Sequence, residues 1–221
     1  MSFNYKRNMI LKILFPKVLI KFIRFIKHIF KQLLAVIKIK IIWRRKNQFN
    51  LEIGAGNKKG SGKWLTLDIS DNCDIYWNLK NKLPFKNNSI NKIYSSHVLE
   101  HFSYKEAQNL LSECRRVLVH NGEFSVCVPN ARLYIDAYLN GEELNVEKFL
   151  GHIPSYPNCS KLDYINYIAY MNGEHKHIFD QGHLIAVLLK AGFKDVMARE
   201  FDSDIDLIDR KEQSIYAIAI K

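Results

Sequence analysis

The sequence predicts an α/β protein with a largely parallel sheet, preceded by a basic amphipathic helix. Three observations carry this reading. From residue 49 onward, short apolar runs of strand length alternate with helical faces and glycine stops. The first of those runs ends in a glycine turn. The positive charge is also confined to one end: residues 1–51 hold 13 Lys and Arg and no Asp or Glu, whereas the remaining 170 residues hold 20 basic and 22 acidic side chains. The net charge of +11 therefore speaks for a partner of the N-terminal segment and not for a nucleic-acid groove on the rest.

In that segment apolar residues are dense from Pro16 to Ile42, and the polar interruptions fall at Lys17, Lys21, Arg24, His28 and Lys31. Steps of four and three place them on one helical stripe. Pro16 suits a first helical turn, where a missing N–H costs nothing. A membrane span needs about 20 mostly uncharged residues. The longest stretch here without Lys, Arg or His is Gln32–Ile37, so spanning is not expected. A wide apolar face with a cationic edge suits an anionic membrane surface, with residues 16–46 in contact. Capping of the core or contact between copies are the other uses of such a helix. Trp43-Arg44-Arg45-Lys46 closes the segment, and Asn47–Phe49 reads as a linker. The expected division is thus a helical segment at 1–46 and an α/β domain at 47–221.

Within the domain, Phe49–Ile53 is an apolar run ending in glycine, as a buried parallel strand does. Trp64–Ile69 alternates and contains an acid near its end; Ile75–Trp77 and Ile90–Ser95 are a third and a fourth strand. Tyr104–Leu118 carries Ala107, Leu110, Leu111, Cys114, Val117 and Leu118 on one helical face, and Asn121-Gly122 reads as its stop. Glu123–Val128 is a strand ended by Pro129. Residues 130–178 lack clean periodicity and read as an insertion of loops and short helices. Gln181–Ala191 is a helix stopped by Gly192, and Phe193–Arg199 and Ser214–Ile220 are the closing strands. Cys73, Cys114, Cys127 and Cys159 show no close pairing, which argues against a disulfide framework or zinc site and for a reducing, cytoplasmic compartment. No cleavable signal peptide is legible at the start.

Three blocks carry chemistry. Glu52-Ile53-Gly54-Ala55-Gly56 follows the first strand, and its glycines allow a tight turn and close backbone approach to a ligand. Asp68 stands at the end of the second strand, where a carboxylate can accept both hydroxyls of a ribose; a turn or capping acid is the plainer reading. The third block is Leu83-Pro84-Phe85, followed by Ser95-Ser96-His97-Val98-Leu99-Glu100-His101. In this order the blocks resemble the class I methyltransferases that use S-adenosylmethionine (SAM), in particular a small bacterial group of type 11 with the same LPF and HVLEH pattern. The resemblance covers residues 50–130 and returns at 181–196.

The resemblance implies a Rossmann-like sheet with its last strand antiparallel and SAM as cofactor. It implies that Glu52, Gly54 and Gly56 hold the methionine end, Asp68 the ribose, and Asn78 and Ser95 further parts of the cofactor. Asn78 departs from the acid usual near the adenine. Only about ten residues separate the first two strands, close to the minimum for a crossover, so a helix there must be a turn or absent.

A hydroxyl acceptor needs its proton removed, and histidine suits that work. His97 and His101 lie four apart, hence on one face of a helix beginning at Ser96. That spacing also permits metal binding, but Glu100 is expected to point elsewhere and no third ligand is evident, so no metal site is expected. Glu174-His175-Lys176-His177 is the rival cluster, with His175 or His177 as base, or both as loop histidines before an Asp180 cap. Tyr134, Tyr138, Tyr156, Tyr164, Tyr167 and Tyr170 offer either stacking on a sugar or plain packing. A nicotinamide dehydrogenase is excluded because the turn runs G-A-G-N-K-K-G, one residue too long for its fingerprint. A nucleic-acid methyltransferase lacks the expected acid-or-amide Pro-Pro motif after strand four. The expectation is methyl transfer to a hydroxyl of an envelope glycan, lipid-linked sugar or similar metabolite at the inner membrane face. A non-catalytic scaffold and an RNA methyltransferase are the alternatives, and oligomeric state is open.

Overall fold

The computed structural model describes residues 17–45, 49–144 and 159–221. The expectations for Pro16, for Asn47 and Gln48 of the linker and for residues 145–158, Tyr156 among them, fall outside those residues. The chain divides into two compact units with the boundary between Arg45 and Lys46.

Among the described residues the first unit holds a continuous helix, α1 (Lys17–Arg45), within the helical segment expected at 1–46. Its 29 residues span roughly 40 Å. Phe22, Phe25, Phe30 and Leu33 are all more than half exposed along it. Among the described residues no helix is long and apolar enough to cross a membrane.

The second unit is built on a seven-stranded sheet in the order β3-β2-β1-β4-β5-β7-β6. Its strands are β1 (Asn50–Ile53), β2 (Trp64–Asp68), β3 (Ile75–Tyr76), β4 (Ile90–Ser96), β5 (Leu118–Pro129), β6 (Lys194–Ala198) and β7 (Ser214–Ile220). The pairings from β3 across to β5 are parallel, and β7 runs antiparallel to both β5 and β6. This is the Rossmann-like sheet, with its last strand antiparallel, that the resemblance implies. Chain order reverses direction between β1 and β4, and ligands of open α/β sheets bind beyond the carboxyl ends at such a point. Leu51 and Ile53 of β1, Ile93 of β4, and Phe124, Val126 and Val128 of β5 are fully buried, each contributing on the order of 1.5–3 kcal/mol of transfer free energy.

Helix α2 (Tyr104–Val117) buries the expected face, and a capping box between Ser103 and Glu106 starts it. Its end differs from the sequence expectation. The helix stops at Val117, and Asn121-Gly122 lies inside β5, where Asn121 has φ 59° and the register against β4 shifts. Asparagine tolerates the left-handed region as well as glycine does at a helix end, so the same dipeptide here serves a bulge. The insertion contributes α3 (Ala131–Asn140) and α4 (Leu162–Tyr170), which pack on each other through Tyr134, Ala137, Tyr164, Tyr167 and Ile168. Helix α5 (Gln181–Lys190) starts on the Asp180 carboxylate, which accepts the His183 N–H, as the capping reading of that acid has it.

No helix lies between β1 and β2, and polar clamps hold the connection instead. The Asp74 carboxylate accepts the N–H groups of Gly60 (2.8 Å) and Thr66 (3.1 Å), while the Thr66 hydroxyl accepts the Asp74 N–H (2.9 Å). A second clamp explains Leu83-Pro84-Phe85. The Arg116 guanidinium donates to the carbonyls of Leu83 (3.0 Å) and Phe85 (2.9 Å) and pairs with Glu113, whose carboxylate accepts the Leu83 N–H. The motif is thus tied to α2, with the Phe85 ring edge-on to Phe49 in the core.

Candidate active site

Two clefts open beyond the carboxyl ends of β1 and β4. The first, of about 440 Å³, is lined by Gly54, Asp68, Ile69, Trp77, Asn78, His97, Val98 and His101, among others. Its floor is the glycine turn. Gly54 has φ 67° and sits so close to Val98 that an added Cβ would lie 2.2 Å from a Val98 methyl. Gly56 has φ 61° and open space where a side chain would begin. The Asp68 carboxylate accepts the Gly56 N–H (3.0 Å) and the Ser70 N–H (3.0 Å), which fixes its orientation at the cleft. Ile69, next to it, is 60% exposed, an apolar surface beside an acid. The Asn78 Oδ1 accepts the Lys80 N–H (3.0 Å), holding that amide at the cleft wall.

Two residues expected with this group lie elsewhere. Strand alternation turns Glu52 to the opposite side from Ile53, where it pairs with Lys58 at 2.8 Å beside a smaller cleft lined by Trp64 and Tyr94. Ser95 is fully buried, with its hydroxyl lacking a hydrogen-bond partner among the described residues.

The second cleft, of about 290 Å³, is bounded by His97, Glu100, His101, Tyr134, Tyr167, His175 and Arg210, among others. Its histidines are not placed as a helix would place them. No α-helix begins at Ser96: His97 is left-handed with φ 54°, and a 3-10 turn covers only Leu99–His101. The tighter turn buries the Glu100 side chain, contrary to the expectation that it points elsewhere. Burial pushes the Glu100 carboxyl up to about 8, and its Oε2 has no partner among the described residues. The Glu100 carbonyl accepts the N–H groups of Lys176 (2.8 Å) and His177 (3.2 Å), which draws the 174–177 segment onto this turn.

His97 Nε2 lies 2.7 Å from the Ser214 hydroxyl. Burial first, then the Arg210 charge and the neighbouring His175 and His101, hold its pKa well below the ordinary imidazole range, so the ring is neutral at pH 7. The His175 ring is buried and its Nδ1–H donates to the Ile168 carbonyl at 2.7 Å. His101 likewise uses Nδ1 on the Glu174 carbonyl at 3.0 Å. His177 lines neither cleft; it packs on Phe179 and Tyr104 and meets His183, Nε2 to Nε2, at 2.7 Å. Of the tyrosines, Tyr134 and Tyr167 both pack in the α3–α4 cluster and line the second cleft, Tyr164 packs in that cluster, and Tyr138 and Tyr170 are exposed.

Residues 51–126, which span β1 to β5 and include both the glycine turn and the His97 turn, match the family model Methyltransf_11, a methyltransferase domain. Residues 51–126 thus carry a methyltransferase domain, as the SAM-dependent class I resemblance implies. Solved structures similar to this methyltransferase include a SAM-dependent methyltransferase from Archaeoglobus fulgidus, at 16% identity over 86% of this chain and 94% of that one, with a TM-score of 0.49. A possible histamine N-methyltransferase from Thermotoga maritima is similar at 16% identity, over 92% and 96% of the two chains, with a TM-score of 0.48. The phosphoethanolamine N-methyltransferase 2 of Haemonchus contortus, solved with SAM, is similar at 13% identity and a TM-score of 0.49; the match covers 80% of this chain but 49% of that one. No curated protein sequence matches the chain. Arg210 and the partners of Glu100 in the methyltransferase had no sequence signal. Arg210 lies in a short 3-10 segment before β7, where its Nη1 donates to the Ser96 carbonyl (2.9 Å) and hydroxyl (2.7 Å).

Proposed function

We propose that the methyltransferase methylates a hydroxyl of a small acceptor, a glycan unit or lipid-linked sugar, with SAM in the Asp68 cleft and the acceptor in the Tyr134–Tyr167 cleft. The observation that carries this reading is that the two clefts share His97 and His101. The first cleft fits SAM in size and in chemistry: a fixed carboxylate for ribose hydroxyls, the exposed Ile69 for an adenine face, and the backbone at Gly54 for the amino-acid end. The Asn78 amide keeps its donors for the adenine ring. Glu52 acts on the turn through Lys58 and not on the ligand.

When bound, SAM supplies a sulfonium methyl, so the protein's main task is alignment. His97, which lines both clefts, is the group placed to take the hydroxyl proton. Tyr134 and Tyr167 offer ring surface for a sugar, and Arg210 adds a fixed cation for an anionic group on it. We place the enzyme at the inner membrane face through α1, whose apolar side is exposed and whose first turn holds no acid. Co-sedimentation with vesicles rich in anionic lipid, lost at high salt, tests that placement.

Calorimetric titration of SAM into wild type and Asp68→Ala tests the core of the reading. Micromolar binding that weakens about 100-fold on substitution is expected, from loss of two charge-assisted hydrogen bonds. A folded wild type that binds no SAM would overturn it and leave the scaffold reading.

A further inference from the structure

The geometry points to a divalent transition-metal site in the second cleft, formed by Glu100, His101 and His175. One ligand atom from each of these residues lies within 4.8 Å of the others. The two histidines come from segments far apart in sequence, and each has its Nδ1–H spent on a backbone carbonyl, His101 on Glu174 and His175 on Ile168. That leaves a bare lone pair on each Nε2. Metal-ligating histidines are fixed in this way, with the second ring nitrogen donating to a carbonyl or carboxylate.

The independent observation is the carboxylate. Glu100 is 2% exposed, and its Oε2 has no hydrogen-bond partner among the described residues, while its Oε1 lies 3.9 Å from His101 Nε2. A buried carboxylate oxygen left unpaired is costly, and buried acids ordinarily have partners. Arg210, the cation that lines the same cleft, directs its Nη1 to Ser96. A bound cation would give the Glu100 Oε2 the partner it lacks among the described residues.

Two imidazole nitrogens and one carboxylate oxygen suit Zn²⁺, Fe²⁺, Mn²⁺ or Co²⁺, whereas Ca²⁺ and Mg²⁺ prefer oxygen-rich sets. Ligand atoms on one such ion, at bonds of about 2.1 Å, lie about 3.4 Å apart. Closing to that spacing asks for a small tilt of the His101 ring, whose side chain is 38% exposed, about its Nδ1–H bond to Glu174. With three protein ligands the ion keeps open positions, and these face the cleft lined by Tyr134, Tyr167 and Arg210. An oxygen of the acceptor, such as one of two adjacent sugar hydroxyls, would bind there. The ion's use in the reaction rests on the methyl-transfer reading above; its binding does not.

The test is a titration of chelator-stripped, full-length protein with Co²⁺, read by its visible absorption bands, which respond to nitrogen ligation. Expected is one Co²⁺ per chain with micromolar affinity, weakened about tenfold or more in His101→Gln and in Glu100→Gln. Both variants spare the buried His175, and Glu100→Gln preserves shape; circular dichroism melts confirm that each is folded. The proposal is overturned if folded wild type develops no band up to about 1 mM Co²⁺, or if the band persists unchanged in both variants. Calorimetry of SAM on the same stripped protein separates the two readings. SAM binding without Co²⁺ uptake removes the metal site alone, and Co²⁺ uptake without SAM binding removes methyl transfer alone.

Discussion

The carboxylate of Asp68, at the end of β2, accepts the backbone N–H of Gly56, three residues past the end of β1, at 3.0 Å. The acid is thereby oriented before any ligand arrives, and its Oδ1 is held by Ser70 N–H. Asp68→Asn keeps an oxygen for Ser70 and loses the charge. SAM affinity should fall about tenfold in calorimetry, less than for the alanine variant, because charge-assisted bonds are about twice as strong as neutral ones.

The two glycines of the turn should respond differently. Gly54→Ala combines a left-handed φ with a Cβ placed 2.2 Å from Val98, so strain and overpacking add to about 2–5 kcal/mol. Gly56→Ala meets no atom within 4 Å and carries only the backbone term, about 1–2 kcal/mol. Denaturant unfolding of the two variants checks the order; equal losses would mean that the Val98 contact is relieved cheaply.

Replacing His97 tests the junction. His97→Gln should lower kcat about 100-fold once an acceptor is in hand, with SAM affinity changed only a few-fold. The corresponding His177→Gln variant, which touches neither cleft, should keep its kcat.

Buried Asp206 links the β6–β7 edge to β4. Its carboxylate pairs with Arg199 at 2.6 Å and accepts the Tyr94 hydroxyl at 2.9 Å and the Asp202 N–H at 2.8 Å. Burial alone would raise its pKa, but these partners, Arg199 foremost, hold it below the ordinary value. A carboxylate depressed in the folded state contributes stability above its unfolded pKa near 3.8, lost as pH falls through the folded value. Asp206→Asn should therefore cost about 3 kcal/mol near neutral pH and flatten the stability profile below about pH 4, as read by urea unfolding.

Arg116→Lys keeps the charge and loses the planar fork that binds Leu83, Phe85 and Glu113 together. A loss of about 2 kcal/mol is expected in thermal unfolding, from carbonyls left without their donor.

Short-range physics made much of this legible in the sequence. Short apolar or alternating runs place β1, β2, β4 and β7 to within a residue or two, and the face Ala107–Leu111–Cys114 places α2. The ten-residue gap after Ile53 correctly leaves no room for a helix. Local signals misled where one dipeptide serves two geometries, as Asn121-Gly122 shows, and where one spacing suits both an α-helix and a 3-10 turn, as at His97–His101.

By itself the sequence determined the alternating elements, the glycine turn and the Asp68 that ends the next strand, because each depends on neighbours a few residues away. Tertiary structure alone decided that Glu52 turns away to Lys58, that His177 stays apart, and that Glu100 and His101 meet His175 and Arg210 in one cleft. Those contacts join segments without periodicity, whose ends are brought together by the packing of α3 on α4 and by the Glu100 carbonyl bonds, and no local pattern encodes a loop closure of that length.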